Sequence, residues 1–388
     1  MKMTKSRQPT EEEGRELRGR LLAQARRVVV KVGSAVLTDD QGLNQKVMEG
    51  LARDLCLLVS QGREVVLVSS GAVAAGRRAL GLGGRALTMR EKQAAAALGQ
   101  VRLMRAYEDI FAGLNQKVAQ VLLTHDDLAH RDRYLNIRNT LLTMFDWRVL
   151  PIINENDTVS VKELRFGDND TLAAMTTNLI DADLLACLTD VEGLYTGDPA
   201  RDPQARLLGT VARVDDEIEA MAGQLSGALG TGGMRSKIMA ARMVSARGGS
   251  SFIGPGREPG ALTRLFAGQE VGTFFLPQPE KMHSRKHWIA YTLRPKGFLV
   301  LDDGACRAVA SGGKSLLPSG ILETRGHFHI GDPVRCLDRN EAPVAAGLVN
   351  YSADDIRRIQ GMRSQAIREV LGFMDSEEVI HRDNLVVL

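Results

Sequence analysis

Two lysines, Lys31 and Lys237, stand where a folded chain gains little by placing them. Lys31 follows the β-branched run Val28-Val29-Val30 and leads into Val32-Gly33-Ser34. An ammonium group at the carboxyl end of a buried strand suits a phosphate, whose oxygens the amides of a glycine turn can cradle. Lys237 ends the loop Gly230-Thr231-Gly232-Gly233-Met234-Arg235-Ser236-Lys237, which opens a helix. The helix dipole disfavours a cation there, and a bound phosphate would reverse that preference. Three further segments carry polar chemistry. Ser69-Ser70-Gly71 follows an apolar run, and its small residues and hydroxyls admit a close ligand. Asn154-Glu155-Asn156-Asp157 follows another; four such side chains are costly to bury unpaired and suit a small polar substrate such as an amino acid. Gly167-Asp168-Asn169-Asp170-Thr171 opens a second helix. Asp168 or Asp170 would serve as an N-cap. Two carboxylates around an amide exceed that need, so one is expected to hold the lysines and the others to grip substrate. Each segment alone has a plainer reading, as a strand-end lysine, a tight turn or a solvated loop. Their recurrence along one chain favours a site.

The elements that must position these residues follow from hydrophobic period. Apolar β-rich runs at Val28–Val32, Val65–Val68, Val118–Leu123, Val149–Ile153 and Leu184–Leu188 predict strands. Between them, Gln45–Val59, Thr88–Phe111, Arg133–Phe145 and Asp170–Ile180 predict helices. Strands that are apolar throughout and alternate with helices imply an α/β fold, a mostly parallel sheet sandwiched by helices. Such sheets bind ligands at the carboxyl ends of their strands. Beyond Pro277-Gln278-Pro279 the pattern changes to short strand-like runs with frequent glycine, at Phe298–Leu301, Gly320–Glu323, Pro333–Leu337 and Val344–Val349. Helical signals return there only at Ala353–Ile359 and Gln365–Leu371. The expected organisation is an N-terminal extension over 1–26, a catalytic domain over 27–280, a small β-rich domain over 290–375 and a tail over 376–388. In the extension, Thr10 and Glu13 form a capping box before a short helix laid against the body or a neighbour.

Composition narrows the class. The 388 residues are 44% hydrophobic and 25% charged with a net charge of +3, so no polyanionic partner is demanded. Four scattered cysteines (Cys56, Cys187, Cys306, Cys336) argue against disulfide or zinc scaffolds and for a reducing, cytoplasmic setting. No apolar run approaches the roughly 18 residues of a membrane span. Gly313-Lys314-Ser315 lacks the earlier glycine of a P-loop, and His130-Arg131-Asp132 lacks the asparagine of a protein-kinase catalytic loop. His327 and His329, read as alternating on one strand, lack further metal ligands and are expected at the surface.

Together and in this order, VVVKVGSAVLT, VSSGAVAAG, LPIINENDTVS, GDNDTLAA, LTDVEGLYTGDP and GTGGMRSK closely resemble the amino acid kinase family. The Asn154–Asp157 and Gly167–Asp170 segments resemble the branch acting on L-glutamate rather than on acetylglutamate, aspartate, carbamate or UMP. The β-rich tail resembles a PUA domain, a module best known in RNA-modifying enzymes. The resemblance implies ATP-dependent phosphorylation of the γ-carboxylate of L-glutamate, with Mg²⁺ carried by the nucleotide and no metal ligand assigned on the protein. It also implies feedback inhibition by proline and a homo-oligomer, dimer or tetramer. By resemblance, Ser70, Asp157 and Asn169 contact glutamate, with Asn154 and Asp168 nearby; Asp157 is suited to the substrate ammonium. Gly33, Thr189, Asp190 and the loop Thr231, Gly232, Gly233, Met234, Arg235, Ser236 and Lys237 line the nucleotide. A carboxylate, with a reference pKa of about 4.3, needs no general base. Catalysis therefore falls to charge neutralisation by Lys31 and Lys237, organised by Asp170 or, as second choice, Asp168. Two alternatives remain: a kinase of the same fold with another acceptor, and an RNA-binding PUA protein.

Overall fold

The valine run forms the middle of a sheet because its side chains are apolar on both faces and β-branched. In the computed structural model, which describes residues 9–39, 42–160, 169–224, 233–279 and 284–388, the chain divides into two compact units, 1–281 and 282–388.

The strands of the first unit are β1 (Arg27–Val32), β2 (Glu64–Val68), β3 (Lys117–Leu123), β4 (Val149–Glu155), β5 (Leu184–Thr189), β6 (Thr210–Val211), β7 (Ser250–Pro255) and β8 (Thr273–Phe275). They form one sheet in the order β3-β4-β2-β1-β5-β7-β8-β6, parallel except where β8 runs against β7. β1 is flanked on both sides, with Lys31 level with Val68 of β2 and Cys187 of β5. Parallel neighbours end together, so the loops after β1, β2, β4 and β5 meet at one edge. β3 lies at the sheet's end and is largely half-exposed.

The helices of this unit include α1 (Glu11–Gln24), α2 (Gln45–Ser60), α3 (Ala72–Ala79), α4 (Met89–Gly113), α5 (Asn169–Leu179) and α6 (Met234–Ser245). α1 opens with the expected Thr10–Glu13 capping box. It packs on its own unit: Arg18 Nη2 donates to the carbonyls of Gln269 (2.6 Å) and Val271 (3.0 Å), and Leu22 is buried in the core. α3 and α4 touch through glycine. A Cβ added at Gly76 would lie 1.8 Å from the Ala95 carbonyl oxygen, and one at Gly99 would lie 1.8 Å from that of Ala72. Only residues without a side chain allow this approach.

In the second unit, β9 (Gly297–Leu301), β10 (Ile321–Gly326), β11 (Pro333–Leu337), β12 (Pro343–Leu348) and β13 (Leu385–Val387) form a sheet in the order β10-β9-β11-β12-β13. Two expectations need correction here. A helix at Asp303–Gly312 precedes Ala353–Ile359; Asp302 caps its first turn and Gly313, in the left-handed region, ends it. His327 and His329 are exposed as expected but lie beyond the end of β10 at Gly326, not on a strand. Residues 376–388 supply β13, which pairs with β12.

Candidate functional site

Lys31 and Lys237 are brought to the two oxygens of one carboxylate. Lys31 Nζ lies 2.5 Å from Asp170 Oδ1, and Lys237 Nζ lies 3.1 Å from Asp170 Oδ2. All three side chains are buried, Asp170 completely. β1 presents Lys31 at its carboxyl end, α5 presents Asp170 in its first turn, and α6 presents Lys237 as its fourth residue. α5 and α6 pack against one another, which closes the triangle. Ser236 Oγ donates to Asp170 Oδ2 at 2.6 Å. Burial pushes the Asp170 carboxyl up, but the lysines and the serine outweigh it and hold the group at about 2. Asp170 is therefore no N-cap; its charge is committed to the lysines. Where two ammonium groups bracket one carboxylate, the cations are already fixed in place, an arrangement able to neutralise an incoming anion.

A second network lies on the neighbouring loops. Asn169, next to Asp170, donates through Nδ2 to the Ser69 carbonyl (2.8 Å), Ser70 Oγ (2.8 Å) and Asn154 Oδ1 (3.1 Å). Three acceptors for two hydrogens make this a shared arrangement that ties the loop after β2, the end of β4 and the start of α5. Asn154 is buried and half-buried Asp157 follows three residues on. Desolvation first, and then the charge of Glu155, push Asp157 up to about 6. Among the described residues no cation pairs with it.

On the other side of the lysines, Gly33 caps a single helical turn, Ser34–Leu37, and a Cβ at Gly33 would lie 3.8 Å from Lys31 Nζ. Thr189 ends β5, buried, with its hydroxyl donating to exposed Asp190 at 3.1 Å. Gly233 caps α6 without any side chain accepting from the first amides. Met234 is buried and Arg235 is exposed. Asp168, Thr231 and Gly232 lie outside the described residues.

Sequence reasoning missed two residues on α4. Tyr107 OH and Ser69 Oγ are 2.9 Å apart, and Gln100 Oε1 accepts from Asn154 Nδ2 at 2.8 Å. Burial raises the Tyr107 phenol, so it stays protonated and able to donate. A signal was present: Ala96, Gln100, Leu103, Tyr107 and Phe111 recur at helical spacing, and a glutamine within such a buried stripe requires a partner.

Residues 26–254 match the amino acid kinase family, and residues 297–371 match the PUA domain. A glutamate 5-kinase of Desulfotalea psychrophila is 56% identical over 374 residues, covering 96% of this chain and 100% of that protein. Glutamate 5-kinases of Syntrophotalea carbinolica and Geobacter sulfurreducens are 52% and 50% identical, each over 96% of this chain and the whole of the relative.

Proposed function

The chain belongs to the amino acid kinase family, and we propose that it transfers the γ-phosphoryl group of ATP to the γ-carboxylate of L-glutamate. The products are L-glutamyl 5-phosphate and ADP, in the first step of proline biosynthesis. The observation that carries this reading is the convergence of Lys31 and Lys237 on Asp170.

An oxygen of the substrate carboxylate attacks the γ-phosphorus as the bond to the β–γ bridging oxygen breaks. The acceptor is already ionised at neutral pH, so the barrier is the approach of one anion to another. Lys31 and Lys237 neutralise the transferring group and the leaving oxygen, while Asp170 and Ser236 keep the ammonium groups from swinging away. Asp157 pairs with the substrate ammonium, and Ser70, Asn154 and Asn169 hold its polar groups, with Asp168 close by. Gly33, Thr189, Asp190 and the loop from Thr231 through Gly233, Met234 and Arg235 to Lys237 receive the nucleotide.

Ammonium groups, a hydroxyl and backbone amides suit phosphate oxygens rather than a metal. No group of three His, Cys, Asp or Glu gathers among the described residues. Mg²⁺ is expected, as the family resemblance implies, to come with the nucleotide's phosphates, where it would add positive charge. Free proline, a close relative of the acceptor in shape, is expected to compete with glutamate, and the chain is expected to self-associate as a dimer or tetramer.

The deciding experiment is hydroxylamine trapping of an acyl phosphate formed from glutamate and ATP, with ADP release measured across glutamate, aspartate, acetylglutamate, carbamate and UMP. Glutamate hydroxamate in large excess over the other products supports the reading; preference for another acceptor overturns it.

A further inference from the structure

We propose that Gln100 is a positioning residue of the acceptor site, one that orients Asn154 and through it Asn169, and so sets the affinity for the amino-acid acceptor. The inference rests on the functional reading above and assigns to α4 a part in it.

The Asn154 carboxamide cannot turn. The backbone N–H of Glu155 donates to Asn154 Oδ1 at 2.9 Å, which fixes the oxygen side of that carboxamide. Asn169 Nδ2 meets the same oxygen at 3.1 Å. The nitrogen side must then face Gln100, and there it needs an acceptor. Gln100 Oε1 supplies one at 2.8 Å, in a contact buried on both sides. Removing that acceptor leaves Asn154 Nδ2 unsatisfied, and rotating the group to find another partner would give up both bonds to its oxygen.

The depth of Gln100 is itself fixed. Its neighbour Gly99 sits against the Ala72 carbonyl with no room for a Cβ. α4 therefore packs backbone against backbone on α3, at a depth that a side chain at position 99 would not allow. Tyr107, seven residues on and so on the same helical face, meets the Ser69 hydroxyl at 2.9 Å. One buried helix face thus supports both loops that Asn169 ties together. Gln100 Nε2 is buried without a hydrogen-bond partner among the described residues. A core chosen for stability alone would place a hydrocarbon there.

Gln100→Met keeps the length and loses the acceptor. It should raise the KM for glutamate about tenfold, the scale of one buried hydrogen bond left unmade, with the KM for ATP and kcat within about twofold of wild type. The cycle with Asn154→Ala separates orientation from packing. If Gln100 acts through Asn154, adding Gln100→Met to Asn154→Ala changes the glutamate KM less than about twofold; a structural role predicts additive effects. Gln100→Leu serves as a second acceptor-free variant should Gln100→Met not fold. Unchanged glutamate KM, equal rises in both KM values, or additivity in the cycle each overturn this inference while leaving the function intact. A wild-type enzyme that releases no ADP with glutamate overturns the function and this inference together.

Discussion

Two carboxylates at the sheet edge, Asp170 and Asp157, have opposite fates. Asp170 is fully buried with two lysines and a serine on its oxygens, and its carboxyl is held at about 2. Asp157 is half-buried beside Glu155, and its carboxyl is pushed up to about 6. The first region is complete before any substrate arrives. The second carries a charge that its surroundings disfavour, and which a substrate ammonium would stabilise. On the proposed reading, catalytic charge is preorganised, while recognition charge stays poised for its ligand.

The strongest break in this contrast is Asp170→Asn, which leaves two buried ammonium groups without their shared carboxylate. It should destabilise the protein by about 3–5 kcal/mol, read by denaturant unfolding at neutral pH. The sign follows from the lowered carboxyl: its stabilisation is present above the ordinary value of 3.8 and is lost as pH falls towards about 2. A variant as stable as wild type would mean that Asp170 does not organise the lysines. Next, Lys237→Ala should lower kcat by about a hundredfold or more, as expected for losing one preorganised charge contact. Turnover near normal would remove Lys237 from the chemistry.

Asp157→Asn tests the other side. It should raise the KM for glutamate by about tenfold or more and leave that for ATP nearly unchanged; equal rises would contradict an ammonium-binding role. The smallest effect is the sharpest. With its carboxyl raised from 3.8 to about 6, Asp157 burdens the folded state increasingly as pH rises through that interval. Asp157→Asn should therefore raise the thermal midpoint of the ligand-free protein at pH 7.5 but not at pH 4. In wild type the glutamate KM should climb as pH drops below about 6, a rise that the variant lacks. A variant less stable at pH 7.5 would show that Asp157 already has a compensating partner.

Much of this site was legible in the chain. The valine run fixed β1, the parallel arrangement followed from apolar strands alternating with helices, and Lys31, Lys237 and Asp170 each stood out against their local pattern. What remained hidden was tertiary. Gln100 and Tyr107 bond to loops through long-range contacts, and a one-dimensional pattern shows a polar residue in an apolar stripe without naming its partner. The helix at Asp303–Gly312 escaped notice because it is short and ends in glycine, although its apolar residues share one face and Asp302 stood as a readable cap. The place of β3 at the sheet's end was hidden too, because edge position depends on sheet order, which local composition does not encode.

The glycine contact between α3 and α4 has a consequence for how such a protein can be diversified. Any replacement at Gly76 or Gly99, even by alanine, must push two helices apart, because each added carbon would land on a carbonyl oxygen. A library aimed at new acceptors should leave these two codons invariant and randomise the loops that face the ligand. Variants arising at the glycines would report a shifted scaffold rather than a retuned preference.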